Sequence, residues 1–361
     1  MIELVTNNKF CELLEKLQAG ENVPDIDIRD YNIGSIGIKL LIQALKNNNT
    51  VKSIYLCGNA IGDAGAELIS EFFQNNNTIT NIYLNDNNIG DTGASQLAEA
   101  LKNHNITILT LDRNNIGDGG AEGLAMFLEN NNSICWLSLS ENNIGVKGIG
   151  EISKALKYNK SMKILDIGYN NIGVEGVHLL SNLIEHNETL TSINLADNGI
   201  GTEGVKLLSK ALQQNKVLSE INLNSNNIDS EGISLLTKGL ETNNTLDYIK
   251  LQYNNIGYHG AVTLAWFLAN NSTIKYIDIE ASNIGTFGIV QLVKALEINR
   301  TIKEIDFGYE DSMSNNGAIE LVKILESNKV VSEITIDFAE DFISNEVGEL
   351  LVKALDIHNK K

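Results

Sequence analysis

The chain repeats one phrase at a nearly constant interval, and this period limits its fold more than any other feature. Ile54–Gly65 reads IYLCGNAIGDAG, and Ile82–Gly93 reads IYLNDNNIGDTG. A short period held over most of 361 residues indicates a solenoid, in which each unit contacts only its neighbours. Such a fold offers an extended surface rather than a closed pocket. The asparagine of the phrase recurs in steps of 28 residues with a single step of 27, at Asn59, Asn87, Asn114, Asn142, Asn170, Asn198, Asn226 and Asn254.

Each repeat predicts one strand followed by one helix. Ile54 and Leu56 alternate with polar residues, as in a short strand with one buried face. Ala66, Ile69 and Phe73 then form one apolar stripe of an amphipathic helix. Strands stack about 4.8 Å apart and helices about 8–10 Å apart. We therefore expect a curved α/β solenoid, a horseshoe with a parallel sheet on its concave side and helices on its convex side.

Polar columns predict how the repeats are joined. The recurring asparagine is expected to be buried, with its amide bonded to the turn and to the next repeat. The glycine of the IG pair is expected to allow a tight turn. Helix N-caps are predicted at Ser35, Asp63, Asp91, Asp118, Thr202, Ser230 and Thr286. Left-handed helix C-caps are predicted at Asn48, Asn76, Asn131, Asn159, Asn187, Asn215, Asn243, Asn271, Asn299 and Asn328.

The net charge of −19 argues against nucleic acid or an anionic membrane as a partner, because both require a basic surface. It favours a basic protein partner. The three cysteines have no metal-like spacing and are interpreted as reduced thiols. No signal peptide or membrane span is recognised. We therefore expect a monomeric cytoplasmic protein without cofactor or metal.

The pattern LxLxxNxIGxxGaxxLxxxLxxNxTL resembles the ribonuclease-inhibitor-like class of leucine-rich repeats over most of the chain. The resemblance implies a horseshoe of β–α units. The class includes ribonuclease inhibitors, NOD-like receptor repeats, Ran GTPase-activating proteins and repeat effectors of intracellular bacteria. The asparagine-rich, proline-poor sequence looks more like the bacterial effectors, and a protein of that group would be delivered into a host cytosol. We divide the chain into an N-terminal capping helix (residues 1–24), repeats (residues 25–333), and a divergent C-terminal repeat with a capping helix (residues 334–361).

The concave face is the predicted binding site, because acidic and aromatic residues concentrate at its strand positions. Tyrosine and tryptophan are typical interface anchors, and carboxylates would steer a basic partner. One predicted patch joins Tyr55, Tyr83 and Trp136, and Asp166 and Tyr169 are further candidates. The second and denser patch comprises Tyr248, Tyr253, Tyr276, Asp278, Glu280, Glu304, Asp306 and Tyr309.

Other interpretations remain open at this point. Tyrosine favours strands and acidic residues keep a sheet soluble, so the face could be a solvated strand surface. Activation of a Ran-like GTPase is a second function, suggested by fold analogy alone. A structural or self-assembling scaffold, in which ends or helices stack, is a third. An enzyme is not expected, because an open trough does not shield an acid–base pair.

Overall fold

The computed structural model describes residues 8–310, 314–327, 333–338 and 344–360. These residues form two compact units. Unit 1 comprises the described residues up to Ile172 together with His186–Leu190. Unit 2 comprises Gly173–Glu185 and the described residues from Thr191 onward.

Strands and helices alternate along the chain, as the repeat predicts. The strands are β1 Asp25–Asp27, β2 Ser53–Tyr55, β3 Asn81–Tyr83, β4 Ile108–Thr110, β5 Trp136–Ser138, β6 Ile164–Asp166, β7 Ser192–Asn194, β8 Glu220–Asn222, β9 Tyr248–Lys250, β10 Tyr276–Asp278, β11 Glu304–Glu310 and β12 Glu333–Phe338. The helices are α1 Asn8–Gln18, α2 Gly34–Leu45, α3 Gly62–Phe73, α4 Asp91–Leu101, α5 Asp118–Asn130, α6 Val146–Leu156, α7 Gly173–His186, α8 Gly201–Gln214, α9 Ser230–Leu240, α10 Gly257–Asn270, α11 Gly285–Leu296, α12 Asn315–Ser327 and α13 Asn345–Asn359.

The strands pair in parallel and in chain order, β1 to β6 in unit 1 and β7 to β12 in unit 2. The central residue of each short strand is an isoleucine or leucine that points toward the helices and is buried, as at Ile82 and Ile221. The helices contribute the other half of the core through stripes such as Ala66, Ile69 and Phe73. The predicted α/β class, with sheet on one side and helices on the other, is confirmed.

A ladder of buried asparagines joins consecutive repeats. Asn87 is fully buried, and its Nδ2 donates to the Leu84 and Leu56 carbonyls at 3.0 and 2.9 Å. Its Oδ1 accepts from the backbone N–H groups of Asn59 and Ile61. Burial of this column is therefore confirmed. The amide reaches the preceding repeat, however, and not the following one as expected.

A second asparagine ladder runs along the helix ends and corrects the predicted C-caps. Asn159 donates from Nδ2 to the Leu128 and Asn131 carbonyls, which belong to the preceding repeat. Its Oδ1 accepts from the N–H groups of Ser161 and Met162. No described asparagine of this column has a positive φ, so the left-handed C-cap was wrong. Asn328 lies outside the described residues.

The predicted N-cap aspartates Asp63, Asp91 and Asp118 act across repeats. Helix α9 is capped by Asp229 and not by the predicted Ser230. Asp63 does not cap its own helix; its Oδ1 accepts from the N–H groups of Gly90 and Gly93 at the start of α4. Asp118 does the same for Gly145 and Gly148 at the start of α6. Each carboxylate thus caps the next helix, where the positive end of the helix dipole attracts it.

This cap decides the backbone conformation of the IG glycine. Where the preceding repeat supplies an aspartate, the glycine is extended, as at Gly90 with φ −101°. Where it supplies none, the glycine is left-handed, and in several repeats it donates to the backbone carbonyl of the following ladder residue, which is Ser282 in the case of Gly257. Gly62 (φ +61°) bonds Asn87 in this way, and Gly201 (φ +58°) bonds Asn226. The predicted tight turn is therefore present at some of these glycines and absent at others.

The single 27-residue step has a local cause. His104 occupies the slot of the second asparagine ladder, 28 residues after Asn76, and one residue is missing before Ile106. Its Nε2 lies 2.6 Å from the Phe73 carbonyl, and its own carbonyl accepts from Asn131 Nδ2. The imidazole therefore continues the ladder across the shortened repeat.

Helices α1 and α13 lie in the two regions that are predicted to cap the repeats. Helix α1 falls within residues 1–24, although residues 1–7 lie outside the described residues. Helix α13 packs on β12, where the Asn359 side chain donates to and accepts from the Ile334 backbone. The three-part division of the chain stays a prediction.

Candidate functional site

The sheet face consists of the first and third residues of the short strands and the matching residues of β11 and β12, on the side opposite the helices. The first row in unit 1 is Asp25, Ser53, Asn81, Ile108, Trp136 and Ile164, and the third row is Asp27, Tyr55, Tyr83, Thr110, Ser138 and Asp166. The first row in unit 2 is Ser192, Glu220, Tyr248, Tyr276, Glu304 and Glu333, and the third row is Asn194, Asn222, Lys250, Asp278, Asp306 and Thr335.

In unit 1 the parallel register brings Tyr55 and Tyr83 into direct contact. Their ring centroids lie 4.4 Å apart with an interplanar angle of 8°, so the rings are stacked. Arg29 lies against the Tyr55 ring, with Cζ 5.6 Å from its centroid, and is held there by two hydrogen bonds to Asp27. Burial and the neighbouring Tyr55 raise the pKa of Tyr83.

Trp136 does not join this tyrosine pair. It lies in the first row, whereas the tyrosines lie in the third, and β4 separates its strand from β3. Its neighbours in the row are Ile108 and Ile164, and Ile164 is 37% exposed. Unit 1 therefore presents a tyrosine stack and a separate apolar strip of Ile108, Trp136 and Ile164, where the sequence suggested one patch. The isoleucines could have been found, because each directly precedes the central leucine of its strand.

Asp166 lies at the end of β6 beside a carboxylate that the sequence analysis had not singled out, Asp112. Burial raises the pKa of Asp112 to about 6, hydrogen bonds from Ser138 and Ser140 oppose the shift, and Asp166 adds to it. Tyr169 is 46% exposed and follows in the loop. Its φ of +53° is left-handed.

In unit 2 the second predicted patch contains a closer tyrosine stack. Tyr248 and Tyr276 have centroids 4.0 Å apart and an interplanar angle of 8°. Burial, Tyr248 and the Asp278 charge raise the pKa of Tyr276, so its hydroxyl stays protonated at neutral pH. Lys250 Nζ lies 5.6 Å from the Tyr248 centroid. Five of the twelve strand positions of this face are acidic and one, Lys250, is basic.

Asp278 lies in the third row as expected, but it is only 3% exposed. Burial raises its pKa to about 6. The net pKa of about 6 also contains smaller contributions: the Glu280 N–H and the Lys250 charge lower it, and the carboxylates of Asp306 and Glu280 raise it. Burial, with Glu333 and Asp306, also raises the pKa of Glu304. The face therefore holds crowded carboxylates with too little positive charge to balance them.

A polar chain borders the tyrosine stack. Asn224 donates to Gln252 at 2.7 Å, and Gln252 donates to Glu280 at 3.0 Å. These bonds fix the Glu280 carboxylate next to the buried Asp278. Tyr253, which is 59% exposed, follows in the loop at φ +54°. The Tyr309 backbone lies in β11 opposite Asp337 of β12, and its side chain lies outside the described ones.

A column of left-handed residues was missed by the sequence analysis. The residue before each ladder asparagine has a positive φ, including bulky side chains such as Arg113, Glu141, Tyr169 and Tyr253. Left-handed φ is uncommon for such residues. The fixed backbone holds these side chains in a row at the end of the strands. The signal in the sequence was Gly58, which holds this position in one repeat, because glycine adopts a positive φ without strain.

No group of three or more His, Cys, Asp or Glu side chains in the described part of the chain is arranged to hold a metal ion. Within the same residues, no helix has the length and apolar character needed to cross a membrane.

Comparisons with known proteins agree with the repeat architecture. Seven segments match the family model described as Leucine Rich repeat, at residues 47–70, 75–98, 102–125, 158–181, 186–209, 214–236 and 242–265. No curated protein matches the chain.

Two solved structures are similar. A chain from the crystal structure of the Rad7 and Elc1 complex in yeast is 14% identical and aligns over 95% of this chain and 85% of its own length, with a TM-score of 0.60. A structure of Leiomodin-1 Actin-Binding Site 2 is 23% identical over 38% of this chain and 81% of its own, with a TM-score of 0.35. The first likeness supports the fold alone. Together with the matched segments and the repeated β–α architecture, it identifies the chain as one that carries leucine-rich repeats in an α/β solenoid fold.

Proposed function

We propose that the protein is a protein-binding module whose sheet face in unit 2 binds a basic partner. Leucine-rich repeats generally mediate protein–protein interaction, which sets the class of function. The observation that carries the proposal is the Tyr248–Tyr276 stack set among Glu304, Asp306 and the buried Asp278.

The physical argument combines anchoring with charge. Stacked tyrosines present a rigid aromatic surface that loses little side-chain entropy on binding. Burial raises the pKa values of Asp278 and Glu304, and the neighbouring carboxylates add to both shifts, so like charges lie close together on this face. A lysine or arginine from a partner would relieve this repulsion and would be steered by the net charge of −19.

The test compares three forms of the full chain in affinity capture from lysate, read by quantitative mass spectrometry. Tyr276→Ala combined with Asp306→Lys alters the sheet face. Tyr258→Ala combined with Glu231→Lys makes the same chemical changes on the helix side of unit 2, where Tyr258 is 47% exposed. A basic protein should be retained by wild type and by the helix-side variant and reduced at least about tenfold by the sheet-face variant, as expected for loss of anchors. Equal capture by all three forms would refute the assignment.

Finer roles stay proposals with narrower support. The 28-residue period supports the ribonuclease-inhibitor-like subclass. An inhibitor or bacterial effector role rests on the resemblance and on the asparagine-rich composition with one proline. A monomeric, cytoplasmic protein without nucleic-acid or membrane partners is supported by its acidity and its free cysteines. GTP hydrolysis by a panel of small GTPases would test the Ran-like alternative, and sedimentation at high concentration would test the self-assembling scaffold.

A further inference from the structure

A groove of about 770 Å³ lies on the helix side of unit 1, between α2 and α3. Its two walls follow helical spacing, since each contributes residues at positions i, i+3, i+4 and i+7. These residues are Lys39, Ile42, Gln43 and Lys46 on one wall and Leu68, Glu71, Phe72 and Asn75 on the other. Two turns of each helix therefore face a common channel.

Two bulky residues on the two helices line the groove. In the equivalent helix pair of unit 2, α8 and α9, the same two repeat positions hold Ser209 and Gly239. A Cβ on Gly239 would overlap Ser209, so that pair packs closely. In α2 and α3 these positions are Ile42 and Phe72, and both side chains line the groove.

The floor of the groove is apolar and only partly covered. Ile42, Leu68 and Phe72 all line it and are all half-buried. Such a surface gains free energy when a partner covers it, at about 25 cal/mol per Å² of apolar area.

The rim of the groove is basic in an otherwise acidic chain. Between Asp30 and Asp63 the sequence contains Lys39, Lys46 and Lys52 and no acidic residue. Lys39 and Lys46 are exposed on the α2 wall, and neither has an ion-pair partner among the described residues. Glu71 is the acid that lines the opposite wall. The channel thus combines an apolar floor with unneutralised positive charge along one side.

We propose that this groove binds an acidic amphipathic helix of a partner protein. Apolar residues spaced i, i+3, i+4 and i+7 on that helix would lie over Ile42, Leu68 and Phe72, as in helix-in-groove recognition. Its acidic flank would meet Lys39 and Lys46. The protein would then have two faces of opposite preference, the sheet face for a basic partner and this groove for an acidic one.

The test uses two labelled 18-residue peptides and fluorescence anisotropy with the full chain. Both peptides carry the same leucine stripe on an alanine background; one has glutamate flanks and the other has lysine flanks. Wild type is compared with Lys39→Glu/Lys46→Glu and with a matched control, Lys147→Glu/Lys154→Glu, whose lysines are also seven residues apart and exposed, on α6. Phe72→Ala, with its fold checked by circular dichroism, removes the centre of the floor.

The glutamate peptide should bind wild type and the α6 control equally. The groove charge reversal should weaken that binding by at least about tenfold and bring a preference for the lysine peptide. Phe72→Ala should weaken the binding of both peptides. The proposal is overturned if the glutamate peptide does not bind, or if both charge reversals weaken it equally, because the net charge would then dominate. It is also overturned if the fatty acid dodecanoate binds the groove and the glutamate peptide does not. A third refuting result is that the groove variants change only self-association, measured by sedimentation.

Discussion

Replacing Asn87 with alanine tests whether the buried asparagine ladder holds consecutive repeats together. The Asn87 side chain accepts from two backbone N–H groups of the preceding repeat and donates to carbonyls of both repeats. It is fully buried, so water cannot replace these bonds without opening the turn. We expect the variant to lose much of the free energy of unfolding.

The size of the loss follows from the groups left without partners. Alanine would strand two groups, the N–H groups of Asn59 and Ile61. The carbonyls of Leu56 and Leu84 each lose one donor but keep another, from the Nδ2 atoms of Asn59 and Asn114. An unsatisfied buried group costs about 1–3 kcal/mol. Two such groups cost about 2–6 kcal/mol, and allowing for relaxation of the turn we expect a destabilisation of about 2–4 kcal/mol.

The assay is urea denaturation combined with native-state hydrogen exchange. Because a repeat array need not unfold in one step, exchange at individual amides is the more specific readout. Protection should fall most at Asn59 and Ile61, whose acceptor is removed. Asn77→Ala, at an exposed position, is the matched control and should change stability by less than about 0.5 kcal/mol.

Two results would refute this reasoning. A loss below about 1 kcal/mol would mean that the ladder bonds merely replace equivalent bonds to water. An equal loss of protection throughout unit 1, with no excess at Asn59 and Ile61, would mean that the amide does not act as the local joint between repeats.

Three further predictions concern burial and repeat contacts. Because the folded pKa of Asp278 is raised to about 6 from 3.8, the native state binds the proton more tightly than the unfolded state, and stability falls as pH rises from about 4 to 6. Asp278→Asn should therefore stabilise the protein by about 1–3 kcal/mol at pH 7.5 and by almost nothing at pH 4, measured by urea denaturation at both. Gly239→Ala should lower the melting temperature, since the added Cβ overlaps Ser209, whereas the same change in an uncrowded helix stabilises by up to about 1 kcal/mol. Asp118→Ala should cost about 1 kcal/mol and reduce hydrogen-exchange protection at Gly148 in α6, leaving the start of α5 unchanged.

The order of strands and helices could be predicted because the hydrophobic periodicity within each repeat indicates one strand followed by one helix. Ile54 and Leu56 alternate as in a strand, and Ala66, Ile69 and Phe73 recur as in a helix. The burial of the asparagine column was predicted from the same pattern. In each repeat the asparagine keeps a constant spacing from the apolar residues on either side of it, so its amide lies among buried residues. Local patterns did not predict which neighbouring repeat a given side chain contacts. Asp63 looks like a cap for α3, and only the packing of α4 beside it makes it the cap of the next helix.

The site was predictable where the 28-residue spacing alone decides the neighbours. Tyr55 and Tyr83 stack because equal steps place them on adjacent parallel strands, and Tyr248 and Tyr276 do so for the same reason. Trp136 was grouped wrongly, since its place before the central leucine puts it in the other row. The burial of Asp278 depends on side chains from several strands at once, which no single repeat encodes.

The aspartate caps mean that the repeats are not interchangeable modules. A repeat with Val146 in the cap position, placed before Gly90, would remove the acceptor of the Gly90 N–H. The backbone would then have to turn left-handed to reach the following asparagine carbonyl, as Gly62 does. Only glycine makes that change without strain. Gly90 is extended in this protein. Because it has no side chain, it can adopt either the extended or the left-handed backbone when the neighbouring repeat is exchanged. Any shuffled or shortened version of this array must therefore be designed junction by junction.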